Sequence, residues 1–134
     1  MDKAACIRII NQYTQGLRYA DFGSGSGDEV NCLGLVRKFL REHMGIAEPF
    51  PWPGDVKPGD AGLALHSFFR SVNTPNIGDI GVMDGQHGEG MHVGVYIYNG
   101  TGRGILHASS RCGIIWSPIR SVTIRGLYRH RGLL

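Results

Sequence analysis

Asn31-Cys32-Leu33-Gly34-Leu35-Val36-Arg37 joins a helix start to a thiol, and strand-like sequence follows it further along the chain. Leu33, Leu35, Val36, Phe39 and Leu40 recur at helical intervals and predict a helix from Cys32 to about His43, with Gly45 as its stop. Asp28, Glu29 and Asn31 just ahead supply caps or first-turn anions. A thiol at such a start is biased toward the thiolate, because the unpaired amides of a first helical turn favour negative charge. The plainer reading of Cys32 is a small buried hydrophobe, as most free cysteines are.

Upstream, Ala4, Cys6, Ile7 and Ile10 mark a first helix over Lys3 to Gln15. Phe22-Gly23-Ser24-Gly25-Ser26-Gly27-Asp28 reads as a flexible loop. It lacks the Lys-Ser/Thr pair and the preceding strand of a phosphate cradle. Downstream, Pro49-Phe50-Pro51-Trp52-Pro53-Gly54, extended by Pro58-Gly59, is a ring-rich segment, either a groove wall or a loop packed on its own aromatics. Ala61 to Val72 reads as a short helix. The periodicity then changes to strands at Asp79–Met83, His92–Tyr98, Gly104–Ser109, Gly113–Trp116 and Val122–Tyr128, separated by turn clusters such as Asp84-Gly85 and Asn99-Gly100-Thr101-Gly102. Helices first and an antiparallel sheet after them make an α+β order rather than alternating βαβ units.

A chain of 134 residues, 42% of them hydrophobic, fits one domain over 1–134 that builds its core without disulfide or metal support. Three cysteines, an odd number with no close pairing, argue against a disulfide framework; Cys6 reads as core and Cys112 as part of a turn. The formal charge is only +3, concentrated near the end in Arg120, Arg125, Arg129 and Arg131. A solvated terminal strand explains those arginines more simply than an anionic polymer, so no nucleic-acid partner is expected. Met1-Asp2-Lys3-Ala4-Ala5-Cys6-Ile7-Arg8 lacks the apolar core of an export signal, and no stretch is long enough to span a bilayer. Synthesis in the cytoplasm and no membrane insertion are the corresponding expectations.

Two histidines give Cys32 a context. His92 opens His92-Val93-Gly94-Val95-Tyr96, where alternation places His92, Gly94 and Tyr96 on one face. Gly94 clears room beside the imidazole, and Gly34 leaves space beside the thiol. His107, in Ile105-Leu106-His107-Ala108-Ser109, lies on the next strand across a hairpin, within reach of His92. The roles that follow are attack on a carbonyl by Cys32, proton transfer by His92 and orientation of its ring by His107. Either histidine taken singly reads as a core residue. A zinc site from Cys32, His92, His107 and His87 or Glu89 is disfavoured, because no close ligand pair has the spacing that zinc sites show. His43, His66 and His130 read as surface or boundary residues, and Asp21, Asp60 and Asp79 form no carboxylate pair for glycosidase chemistry.

Together these stretches resemble the NlpC-type cell-wall cysteine peptidases, a papain-like family. Its ordered motifs correspond here to Tyr19 with Phe22-Gly23-Ser24, Asn31-Cys32-Leu33-Gly34-Leu35-Val36, Gly78-Asp79-Ile80, His92-Val93-Gly94-Val95-Tyr96 and Leu106-His107-Ala108. The resemblance implies an α+β fold with the nucleophile helix packed on a five- or six-stranded antiparallel sheet that carries both histidines. It implies a Cys32-His92-His107 triad, substrate-binding or oxyanion support from Tyr19, Asn31 and Leu33, no cofactor and no metal. The implied substrate is the peptidoglycan stem peptide, cut at an amide bond. Asn31 stands where the family has Asp, and Leu33 where it has Ser; an Asn cannot supply the charge that meets a free stem amine in some members. The short domain is most similar to versions carried by phage or prophage tails, which implies tail proteins as partners and action in the cell wall, the periplasm or a virion tail after delivery. A secreted peptidoglycan-targeting toxin, and a non-catalytic tail or wall-binding component, are the alternatives. Lipid acyl transfer fits less well, because the permuted relatives place the His motif before the Cys.

Overall fold

Asp2 accepts a hydrogen bond from the Ala5 amide at 2.8 Å and so caps a first helix, α1 (Lys3–Gly16), which buries Cys6, Ile9, Ile10 and Tyr13. The computed structural model describes residues 1–52, 65–84 and 91–133 of the chain. After α1, β1 (Arg18–Tyr19) and β2 (Glu29–Val30) pair in parallel, with Tyr19 opposite Val30.

The glycine-rich loop between them is not slack. Gly23 donates to the Ala20 carbonyl at 3.0 Å, and Asn31 donates to the Gly23 carbonyl at 2.9 Å. Arg41 then reaches the Gly25 carbonyl at 2.6 Å, and Lys38 the Gly27 carbonyl at 3.3 Å. The loop is a backbone strap tied to the next helix, which corrects the expectation of a flexible loop.

That helix, α2 (Cys32–His43), has the predicted bounds. Gly45 takes a left-handed φ of +72° as it ends, and the Leu40 carbonyl accepts from both Met44 and Ile46, each at 3.2 Å. Leu35, Phe39 and Leu40 are each wholly enclosed, and burial of such a side chain is worth about 1.5–3 kcal/mol. Tyr13 of α1 donates its hydroxyl to Glu42 of α2 at 2.8 Å, tying the two helices together.

The expected helix over Ala61 to Val72 is corrected. Among its described residues only α3 (Leu65–Phe68) is helical, and Phe69 onward is strand β3 (Phe69–Ser71). The remaining strands are β4 (Ile80–Asp84), β5 (Met91–Tyr98), β6 (Arg103–Ser109), β7 (Gly113–Pro118) and β8 (Ile124–His130). They form one six-stranded antiparallel sheet in the order β3-β8-β4-β5-β6-β7. The fold is therefore α+β, as the sequence predicts. The stretch 53–64, with most of the ring-rich segment, lies outside the described residues.

Alternation sorts the sheet into two faces. Val93, Val95 and Ile97 of β5, with Leu106 and Ala108 of β6, join the helices in the main core. Met83, Tyr96 and Ile105 form a smaller cluster on the other face, covered by Ile119, Val122 and Ile124. The β5–β6 turn is closed by Asn99, whose side-chain oxygen accepts from the Thr101 and Gly102 amides at 3.0 Å each.

The terminal arginines are not uniformly solvated. Arg129 makes a two-point pair with buried Asp79, at 2.7 and 2.8 Å, and Arg125 grips exposed Asp84. His130 is also no surface residue: it is 7% exposed, packs edge-on against Phe69 and donates to the Pro49 carbonyl. Among the described residues no helix is long and apolar enough to cross a membrane.

Candidate active site

Cys32 is the first residue of α2, and the residue before it does the capping. The Asn31 side-chain oxygen accepts from the Gly34 amide at 2.8 Å, and its amide nitrogen donates to the Asp21 carbonyl at 3.0 Å. Asn31 is 1% exposed, so both ends of its side chain act on backbone. Such a cap is worth about 1 kcal/mol to the helix. Leu33 is 2% exposed and belongs to the main core. Of the three residues implied as substrate or oxyanion support, only Tyr19 is partly exposed; its strand register with Val30 brings it alongside the approach to α2.

The space expected beside Gly34 is filled. A β-carbon there would collide with the Gly23 carbonyl and lie 3.0 Å from the Ser24 carbonyl carbon. Gly34 is needed so that the strap can cross the helix start, not to open the helix surface to substrate. Cys32 itself is 4% exposed and lies in the main core, at the start of a helix that packs on β5 and β6.

The histidines are joined directly. His92 Nε2 and His107 Nδ1 are 2.8 Å apart, with the rings edge to face at 5.0 Å between centroids. They do not meet as ladder partners. The β5–β6 pairing runs from Tyr98↔Arg103 to Val95↔Leu106 and stops there, while each strand continues along its other neighbour. His107 is paired with Ile115 of β7, and His92 with Met83 of β4. Beyond Val95↔Leu106 the two strands form no further ladder pair, and the imidazoles bond across them side chain to side chain. Gly94 permits this, since a β-carbon on it would press within 2.9 Å of His107 Cβ and 2.8 Å of the Leu106 carbonyl oxygen.

His92 and His107 share the face of Met83 and Ile105, opposite the one on which the main core lies. They border a recess of about 170 Å³, with Met83, Ser109, Ser121 and Thr123 around them. Cys32 lies with the main core, and the imidazoles border the recess on the sheet's other face. His107 is 6% exposed, and burial, reinforced by the neighbouring His92, pushes its pKa down from 6.5 to about 4. At neutral pH it is an uncharged imidazole that orients by hydrogen bonding rather than by charge.

One partner escaped the sequence. His107 Nε2 lies 2.9 Å from the Ser117 hydroxyl, which extends the chain to His92–His107–Ser117. The only available signal was a hydroxyl in the otherwise apolar run Ile114-Ile115-Trp116-Ser117, and its face is unknowable without the β6–β7 register. Among the described residues, no three His, Cys, Asp or Glu side chains cluster in a way that would hold a metal ion. His87 and Glu89 lie outside the described residues, as do Asp60 and the His66 side chain. Compared with known proteins, the chain matches no family model and no curated protein.

Proposed function

We propose that this chain is a papain-like, NlpC-type cysteine peptidase that hydrolyses amide bonds in peptidoglycan stem peptides. The observation that carries the reading is the 2.8 Å bond between His92 Nε2 and His107 Nδ1 just beyond the last ladder pair of β5 and β6, the strands on which the Cys32 helix packs. The ordered motif resemblance supplies the substrate class.

In this reading Cys32, at the start of the helix packed on β5 and β6, takes His92 of β5 as its proton partner. With its Nε2 committed to His107, His92 exchanges protons with the thiol through Nδ1. The Cys32 thiolate attacks the amide carbonyl carbon, and the first-turn amides of α2 stabilise the oxyanion. His92 gives the thiol proton to the departing amine, leaving a thioester. Water then loses a proton to His92 as it attacks, releasing the acid and restoring the thiol. No cofactor is required. Delivery by a phage or prophage tail, or by a secretion apparatus, is the route that the resemblance supports, with the cell wall or periplasm as the place of action.

The test is fragment release from purified sacculi. Cys32→Ala should abolish it while leaving the circular-dichroism spectrum unchanged, and unchanged release sinks the assignment. Mass spectrometry of the products locates the bond cut. A second reading, a tail or wall-binding component without catalysis, is favoured by the 4% exposure of Cys32 and by the capping role of Asn31. Iodoacetamide labelling separates the two: an activated thiol reacts well below pH 8, whereas a structural one stays inert.

A further inference from the structure

His107 is gripped at both ring nitrogens, by His92 at Nδ1 and by Ser117 at Nε2. A neutral imidazole has one donor nitrogen and one acceptor nitrogen, so such a chain of bonds has a direction. When the thiol proton has passed to His92, that ring is an imidazolium and both of its nitrogens are donors. His107 must then offer its Nδ1 lone pair to His92 and carry its own proton on Nε2. That N–H needs an acceptor, and the Ser117 hydroxyl oxygen stands 2.9 Å away.

We propose that Ser117 is a positioning residue, whose hydroxyl oxygen accepts the Nε2–H of His107 and thereby fixes the tautomers that leave His92 Nδ1 as the base. This rests on the peptidase reading of the same site. The placement is built into the sheet. Ser117 lies opposite Ile105 in the β6–β7 ladder, and His107 opposite Ile115, so alternation brings Ser117 and His107 to one face. The edge strand β7 is held by the Trp116 indole N–H, which donates to the Ile97 carbonyl of β5 at 3.1 Å. The low pKa of His107 agrees, because it keeps the ring neutral and therefore able to accept from His92.

The test uses the full chain carrying Cys112→Ser, because Cys112 is exposed and would itself alkylate, while Cys6 is wholly buried. Imidazole nitrogen shifts, assigned with His107→Asn, report the tautomer, and iodoacetamide at pH 7 reports the Cys32 thiolate. His107 should be protonated at Nε2. Ser117→Ala should mix the tautomers and slow alkylation of Cys32 about ten- to a hundredfold, the range that loss of an outer partner costs a metal-bound histidine. Ser117→Thr, which keeps the hydroxyl, should restore both. A His107 protonated at Nδ1, or a folded Ser117→Ala chain with unchanged tautomer and alkylation rate, overturns the proposal. If the Ala variant does not fold, the unsubstituted chain and the Thr variant decide it: the Nε2 tautomer in both supports it, and its loss in either overturns it. A His107 correctly protonated beside a Cys32 no more reactive than an ordinary thiol keeps the relay and removes the peptidase.

Discussion

Replacing Asn31 by Asp puts an acid immediately ahead of Cys32, and the structure gives the change a signed, pH-dependent penalty. The carboxylate retains the oxygen that accepts from Gly34 but loses the nitrogen that donates to the Asp21 carbonyl at 3.0 Å. Two oxygens then face each other at a position 1% exposed. Losing a paired donor at this buried side chain costs about 1–3 kcal/mol, and placing a charge against the carbonyl costs more. The helix N-terminus returns about 0.3–1 kcal/mol to the anion, so the net loss at pH 7 is about 2 kcal/mol.

A protonated acid can donate to the Asp21 carbonyl and accept from Gly34 together, which restores both bonds. The folded-state pKa of the introduced carboxyl group is therefore raised above its unfolded value of about 3.9. With the native state holding the proton longer, the variant's stability falls as pH rises through that window and then levels off. Urea denaturation of both proteins from pH 3.5 to 7.5, taken as a difference at each pH, isolates the effect from other titrations. A difference that is flat with pH, or an Asn31→Asp chain as stable as the parent at pH 7, refutes the two-bond description of Asn31.

Gly34→Ala should destabilise by about 1–3 kcal/mol in urea, because the collision is with the Gly23 backbone and outweighs the roughly 1 kcal/mol that alanine gains in a helix; stabilisation would disprove the strap contact. His107, with a folded pKa of about 4 against 6.5 unfolded, contributes stability that is lost as pH falls through that interval. The parent should lose about 3 kcal/mol more than His107→Asn between pH 7 and 4, read as a difference of unfolding free energies. Arg129→Leu should cost about 3–5 kcal/mol by leaving the Asp79 carboxylate, 1% exposed, without its guanidinium; adding Asp79→Asn should recover part of it in thermal unfolding.

What the sequence disclosed follows the range of the interactions involved. The α2 boundaries were legible because a capping Asn, an apolar stripe and a stop glycine are all local, and β5 and β6 because alternation is local too. The Phe69–Ser71 strand was not, since its three residues carry no pattern of their own and pair with Tyr128 to His130 far along the chain. Gly34 was misjudged for a related reason: a glycine reports that space is needed, not whether substrate or backbone fills it. The histidine pair was inferred, but as neighbours across a ladder; the ladder's end at Val95↔Leu106 and the Ser117 bond both depend on a register that no single segment contains. His130 looked peripheral in a terminal stretch, and its burial comes from Phe69 and Pro49, both remote in sequence.

The alternation along β6 makes the site a reporter of folding accuracy. Leu106 and Ala108 pack in the main core while His107 between them turns to the recess. A slip of one residue exchanges these sides, sending an imidazole into hydrocarbon and a leucine toward Ser117. Nothing intermediate exists between the two arrangements. A refolded sample should therefore divide into molecules that have the His92–His107–Ser117 bonds and molecules that lack them, and imidazole nitrogen shifts count the correctly aligned sheets.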